Sequence, residues 1–206
     1  MSATDRSDGL VADEVRASLG ECVIGNQIVV VNETGSTNDL VWEAEARGAP
    51  EGFVVFAERQ NAGRGRYGRR WESAPHQGLW FSVLLRPIVA MNESPQLTSL
   101  LAGVAAATIR AETGCIVSIK MPNDIYLAGR KIAGVLVEGR NAKDGRYVAV
   151  AGMGLNVNQT LEDFPEELQA TAGSLRMATG HQIPRGHLAT ALLRKFDQEY
   201  RAFRRS

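Results

Sequence analysis

Residues 63–71 read GRGRYGRRW: four arginines and three glycines in nine positions, closed by a tryptophan. Arginine carries a permanent charge and a planar fork of donors that can grip phosphate or carboxylate with two bonds at once. Glycine lets the backbone take positive φ and bring its N–H groups close to an anion. Interleaved, the two types suit a folded cradle for a polyanion. A disordered nucleic-acid arm and a plain solvated loop compete with that reading. The run is short, lies between two apolar strands and ends in a large aromatic, whereas basic arms favour a terminus and repeat.

Three further stretches carry chemistry-bearing residues. KMPND at 120–124 sets Lys120 at a strand-to-turn junction, because Pro122, Asn123 and Asp124 are turn formers. Such a lysine is either an ordinary surface residue or a cation held at a strand end, where sites tend to sit. AGRKIAG at 128–134 returns as a hairpin with Gly129 in its turn and a basic pair behind it. GSTND at 35–39 offers two hydroxyls, an amide and a carboxylate ahead of a helix, as an N-cap or as partners for a small polar ligand. AGMGLNVNQ at 151–159 puts Gly152 and Gly154 inside a strand, where glycine weakens the strand and marks close approach by a ligand or another backbone.

The elements that must position these loops follow from the pattern around them. VADEVRASLG predicts a short helix stopped at Gly20, QIVVVNE a strand, and STNDLVWEAEARGAP a helix closed by Gly48 and Pro50. EGFVVFAE and LWFSVLLRP are apolar strands that flank the Gly/Arg run. SPQLTSLLAGVAAATIRAETG is the clearest helix. Strands follow at CIVSIK, IYL, KIAGVLVEG and YVAVAGMGLNV, then a partly helical connection, then an amphipathic helix from Arg185. The fold class is α+β, a mixed sheet packed by helices. Residues 1–206 read as a single domain with about the first ten residues frayed.

Composition narrows the function. Hydrophobic residues at 44% and charged residues at 22% are globular averages. A formal net charge of zero argues against coating nucleic acid, so the local basicity belongs to a site. Cys22 and Cys115 share no motif spacing and read as free thiols, and the three histidines form no ligand set, so no metal site is expected. No charged stretch precedes an apolar run at the N-terminus, so no signal peptide is expected, and the most apolar run, at 100–109, is too short for a bilayer. The expectation is a cytoplasmic protein without membrane or nucleic-acid partners.

Taken in order, GSTN, AERQNAGRGRYGRRW, KMPNDIYLAGRKIAGVLVE and GMGLNVNQ resemble the catalytic domain of biotin protein ligases, from about residue 30 onward. The GRGRxGRxW element is highly specific to that family; STN alone would mean little. The resemblance implies an enzyme that uses Mg2+ and ATP to convert biotin to biotinyl-5′-AMP, then passes biotin to a lysine of a biotin carboxyl carrier protein. It places Ser36, Thr37, Asn38 and Gln60 on the ureido ring of biotin. Trp71, Gly152, Gly154 and Ile125 fall along the channel for its thiophane and valeryl parts. Gly63 and Gly65 let the backbone in, Arg64 and Arg66 hold phosphate, Asn156 lies near adenine, and Lys120 meets the biotin carboxylate and then the phosphate.

Biotin ligases usually read Lys-Trp-Pro-Asn-Asp where this chain has Met121, so repacking is expected there. The family generally adds a small β-barrel after the catalytic domain, and some members a DNA-binding domain before it. Neither is expected within these 206 residues. A homodimer is left open. Rival readings are a lipoate ligase or octanoyltransferase of the same fold, a non-catalytic binder of biotin or its adenylate, and an RNA-binding module. The first lacks GRGRxGRxW, the second would not need Lys120, Arg64 and Arg66, and the third needs basic and aromatic surface beyond one loop.

Overall fold

The computed structural model describes residues 9–87, 94–142 and 145–204, so most of the frayed start expected for residues 1–10 lies outside the described chain. The elements run α1 (Ala12–Leu19), β1 (Ile28–Thr34), α2 (Thr37–Ala46), β2 (Val54–Gln60), β3 (Gly78–Leu85), α3 (Ser94–Thr113), β4 (Ser118–Lys120), β5 (Asp124–Leu127), β6 (Arg130–Asn141), β7 (Tyr147–Asn156), α4 (Leu175–Thr179) and α5 (Arg185–Phe203). Gly20, Gly48 and Gly114 stand just beyond helices with positive φ of 70°, 88° and 71°, which glycine adopts without the strain a side chain would bring.

The strands form one sheet of seven in the order β1-β2-β3-β7-β6-β5-β4. β1 and β2 are parallel, joined by the crossover helix α2; every other neighbouring pair is antiparallel. Side chains alternate across a strand, so each strand serves two layers. Leu79, Phe81, Val83 and Leu85 of β3, and Ala149, Ala151, Met153 and Leu155 of β7, join the large core shared with α3 and α5. On the opposite face Val41 of α2 packs on Val55, Leu84, Val148 and Val150. Continuing that second row along β7 brings Gly152, Gly154 and Asn156. The helix cover gives way there to a cavity.

CIVSIK is a strand only over its last three residues. Cys115 precedes the strand instead of opening it, and Ile116 is 77% exposed. Among the described residues no helix is long and apolar enough to cross a membrane.

Candidate functional site

The cavity encloses about 270 Å³ between the sheet, the first turn of α2, the Gly/Arg run and the segment 164–172. Its floor is built from strand register. Trp80 of β3 and Gly134 of β6 both pair with Gly154 of β7; Ser82 and Leu136 both pair with Gly152. A β-carbon on Gly154 would collide with the Trp71 indole, and one on Gly134 would come within 3.0 Å of it. A β-carbon on Gly152 would collide with the Asn38 amide. These glycines do mark close approach, and what approaches is Asn38 from the first turn of α2 and Trp71 from the end of the Gly/Arg run. Trp71 lies across the slot, edge-on to Trp80 at 6.3 Å between ring centroids. Its indole N–H is buried and has no hydrogen-bond partner.

A polar chain crosses one end of the cavity. Thr37 N–H donates to Gln60 Oε1 (2.8 Å), which fixes the amide so that its NH₂ faces the other way. The Thr37 hydroxyl lies 2.6 Å from Ser82 Oγ, and Ser82 Oγ donates to Asn38 Oδ1 at 2.5 Å. Asn38 Nδ2 in turn donates to Glu138 Oε2 (3.0 Å). Thr37, Asn38 and Ser82 are all buried, and a buried polar group is held by its bonds, so this chain presets donors and acceptors. Ser36 occupies the N-cap position of α2 but makes no side-chain capping bond; it lines the cavity instead.

The Gly/Arg run folds back on itself. Arg64 and Arg70 bridge as antiparallel partners, and Trp71 N–H donates to Gly63 O (2.9 Å). Of its three glycines only Gly68 has positive φ (72°); Gly65 is extended at φ −110°. Gly63 is required by packing, since its β-carbon would sit 2.6 Å from Trp71 O. Gly63 is buried and not among the lining residues, whereas Arg64, Gly65, Arg66 and Trp71 are. Arg64 holds Asp39 through two 2.7 Å bonds, and that carboxylate raises the guanidinium pKa above its ordinary value. Arg66 donates to Asn123 Oδ1 (3.1 Å).

Lys120 does not reach this assembly. It ends the three-residue edge strand β4 with its side chain exposed, and it is not among the lining residues. Lys131 is the lysine of the cavity, with Nζ 2.7 Å from Asp124 Oδ1 and 5.5 Å from the centre of the Trp71 ring. A register break explains why alternation hides it. Tyr126 pairs with Lys131, but the next residue back, Ile125, pairs with Ala133. Ile132 is therefore a β-bulge that turns Lys131 to the face opposite Ala133, the face of Gly134. The basic pair behind the 128–129 turn was the available signal.

Ile125 is fully buried in the core and not part of the wall. Asn156 does line the cavity, yet its amide donates to Gly173 O (2.9 Å) and accepts from Gln159 (3.1 Å). That bond helps hold the 171–173 segment, which also bonds to Lys131 through Lys131 N–H to Thr171 O (2.8 Å) and Gly173 N–H to Lys131 O (3.0 Å). Phe164, Leu168, Thr171 and Ala172 complete the wall. No sequence motif singled them out.

The bifunctional ligase/repressor BirA of Bacillus spizizenii is 38% identical over 194 residues, covering 94% of this chain and 60% of that protein. The biotin–acetyl-CoA-carboxylase ligase of Mycobacterium tuberculosis is 37% identical, over 83% of this chain and 63% of its own length. The chain thus spans about three fifths of these curated relatives. A biotin protein ligase from Aquifex aeolicus, solved in complex with biotin and ATP, superposes with a TM-score of 0.75 at 30% identity, covering 87% of this chain and 72% of that one. The family described as biotin/lipoate A/B protein ligase matches residues 30–158, from the middle of β1 past the end of β7. That span includes every strand and loop built into the cavity floor, and the chain belongs to the biotin/lipoate A/B protein ligase family.

Proposed function

We propose that this chain activates biotin with ATP to biotinyl-5′-AMP and transfers the biotinyl group to a lysine of a biotin carboxyl carrier domain. The observation that carries the reading is a single cavity with a preset polar chain at one end, an aromatic and glycine-lined slot in the middle, and Arg64, Arg66 and Lys131 beside it. The ureido ring of biotin needs fixed donors and acceptors out of water, which Ser36, Thr37, Asn38 and Gln60 provide, with Ser82 bracing Thr37 and Asn38 from behind. The slot of Trp71, Gly134, Gly152 and Gly154 suits the thiophane ring and the valeryl chain.

In the first step a carboxylate oxygen of biotin attacks the α-phosphorus of ATP, and the bond to the β-phosphate oxygen breaks to release pyrophosphate. Two anions must meet, so fixed positive charge is the main catalytic need. Lys131 supplies it from the wall of the slot, in the role the motif comparison had given Lys120. Arg64 and Arg66 hold phosphate from the hairpin above. In the second step the carrier amine attacks the acyl carbonyl and AMP leaves. The mixed anhydride must be shielded from water until then, and a hairpin folded over the cavity suits that task. Mg2+ belongs to the ATP substrate. Among the described residues no three acidic, His or Cys side chains form a metal set, so the ion would ride on the triphosphate beside the rim carboxylates Asp124 and Glu72. Cytoplasmic carboxylases would supply the carrier.

The test is pyrophosphate exchange into ATP by the purified chain. Biotin should support it. Exchange supported by lipoate or octanoate and not by biotin would move the chain to the lipoate branch of the family.

A further inference from the structure

We infer that Tyr67 is a positioning residue that aims Arg66 at the cavity without neutralising it. In what Arg66 then does, the inference rests on the ligase reading above. The hairpin of residues 63–71 closes in a two-residue turn: Arg69 N–H donates to Arg66 O (3.3 Å), and both central residues are left-handed, Tyr67 at φ 61°, ψ 32° and Gly68 at φ 72°. Positive φ at both central positions is the requirement of a type I′ turn, whose first central position favours Asn, Asp or Gly. A tyrosine there is strained, and burial does not hold it, since Tyr67 is 83% exposed.

Its contacts are with Arg66. The guanidinium carbon lies 4.9 Å from the centre of the Tyr67 ring, and Arg66 Nη2 donates to the Tyr67 hydroxyl at 3.2 Å. Asn123 at the foot of β5 accepts from Nη1 at 3.1 Å. Arg66 is thus held from two sides by neutral groups. Three neighbouring cations of the site are held differently, Arg64 by Asp39, Arg70 by Glu72 and Lys131 by Asp124, while Arg69 after the turn is paired with no carboxylate among the described residues. Among the described residues Arg66 has no carboxylate partner. A ring face and a hydroxyl restrain a guanidinium while leaving its charge for an incoming anion.

Two variants separate this role from a structural one. Tyr67→Asn suits the turn better and removes both contacts; Tyr67→Phe keeps the ring and removes only the hydroxyl bond. Tyr67→Asn should melt no lower than wild type, yet lose about tenfold in kcat/KM for ATP in biotin-dependent pyrophosphate exchange, with Tyr67→Phe in between. Exchange by Tyr67→Asn equal to wild type overturns the inference. A second arm uses the chain without substrates, reading the Arg66 Nε–Hε resonance by NMR, assigned by its loss in Arg66→Lys. That signal should move in Tyr67→Asn as the ring leaves the guanidinium, and an unmoved signal also overturns the inference. A wild-type chain that exchanges nothing refutes the ligase reading, while the NMR arm still decides whether Tyr67 holds Arg66.

Discussion

Lys131 and Lys120 are eleven residues apart, both cationic and both beside turns, yet only one lines the cavity. If fixed charge at the α-phosphate drives adenylation, Lys131→Ala should lower the rate of adenylate formation by about 10²–10³-fold, the scale of losing one preorganised charge partner. The loss should fall on kcat, because the charge matters most as the two anions are pressed together. Lys120→Ala should change the rate by less than about threefold, as for an exposed side chain outside the cavity lining. Rapid-quench measurement of adenylate separates the two, and equal losses would contradict this assignment of the cation. Arg66→Gly tests a different step. The guanidinium bonds to Asn123 from the hairpin above the slot, so its removal should open the cover and speed adenylate dissociation. Stopped-flow displacement reads that rate; an unchanged value would take Arg66 out of the cover.

At the scale of elements the site is a consequence of β-sheet pairing. Gly134 and Gly154 face each other across β6 and β7, and together they make the groove in which Trp71 lies. Gly154→Ala should expel the indole. Overpacking of this kind costs roughly 1–3 kcal/mol, and here that would appear as a rise in biotin KM of about tenfold or more. The melting temperature should move little, because the hairpin carrying Trp71 can shift. A titration of Trp fluorescence with biotin reads the affinity; unchanged binding would show that the groove is not the biotin slot. The alternation VAVAGMGLN made the glycines of β7 legible, as did the runs that became β2, β3 and α3. The occupant of the groove, Trp71, was not legible, because it comes from a loop 63 residues before Gly134 and 83 before Gly154. The bulge at Ile132 was hidden for a related reason. It breaks the period of two on which the face of Lys131 would be inferred. The left-handed Tyr67 defies turn preference, and no pattern announces it.

Across the whole molecule one buried ion pair ties the last helix to the sheet. Arg185 opens α5 fully buried, with Nη1 2.6 Å from Glu58 Oε2 of β2 and 3.1 Å from Gly78 O at the start of β3. Glu58 also accepts from Leu10 N–H (3.0 Å), so one carboxylate gathers the N-terminal segment, the sheet and α5. Removing one partner strands the other charge, which costs about 3–5 kcal/mol. Arg185→Met should therefore lower the melting temperature by on the order of 10 °C. Adding Glu58→Gln should recover part of that loss, and calorimetry showing no recovery would mean that the cost lies in packing and not in charge. Under the proposed function, the scaffold so braced holds one cavity around a reactive acyl phosphate. Incubating the purified chain with biotin and α-phosphate-labelled ATP, then resolving the products by thin-layer chromatography, tests that most directly. Labelled biotinyl-5′-AMP should appear with the wild-type chain and be nearly absent with Lys131→Ala. No adenylate from a folded wild-type chain, or equal adenylate from both proteins, would contradict the account.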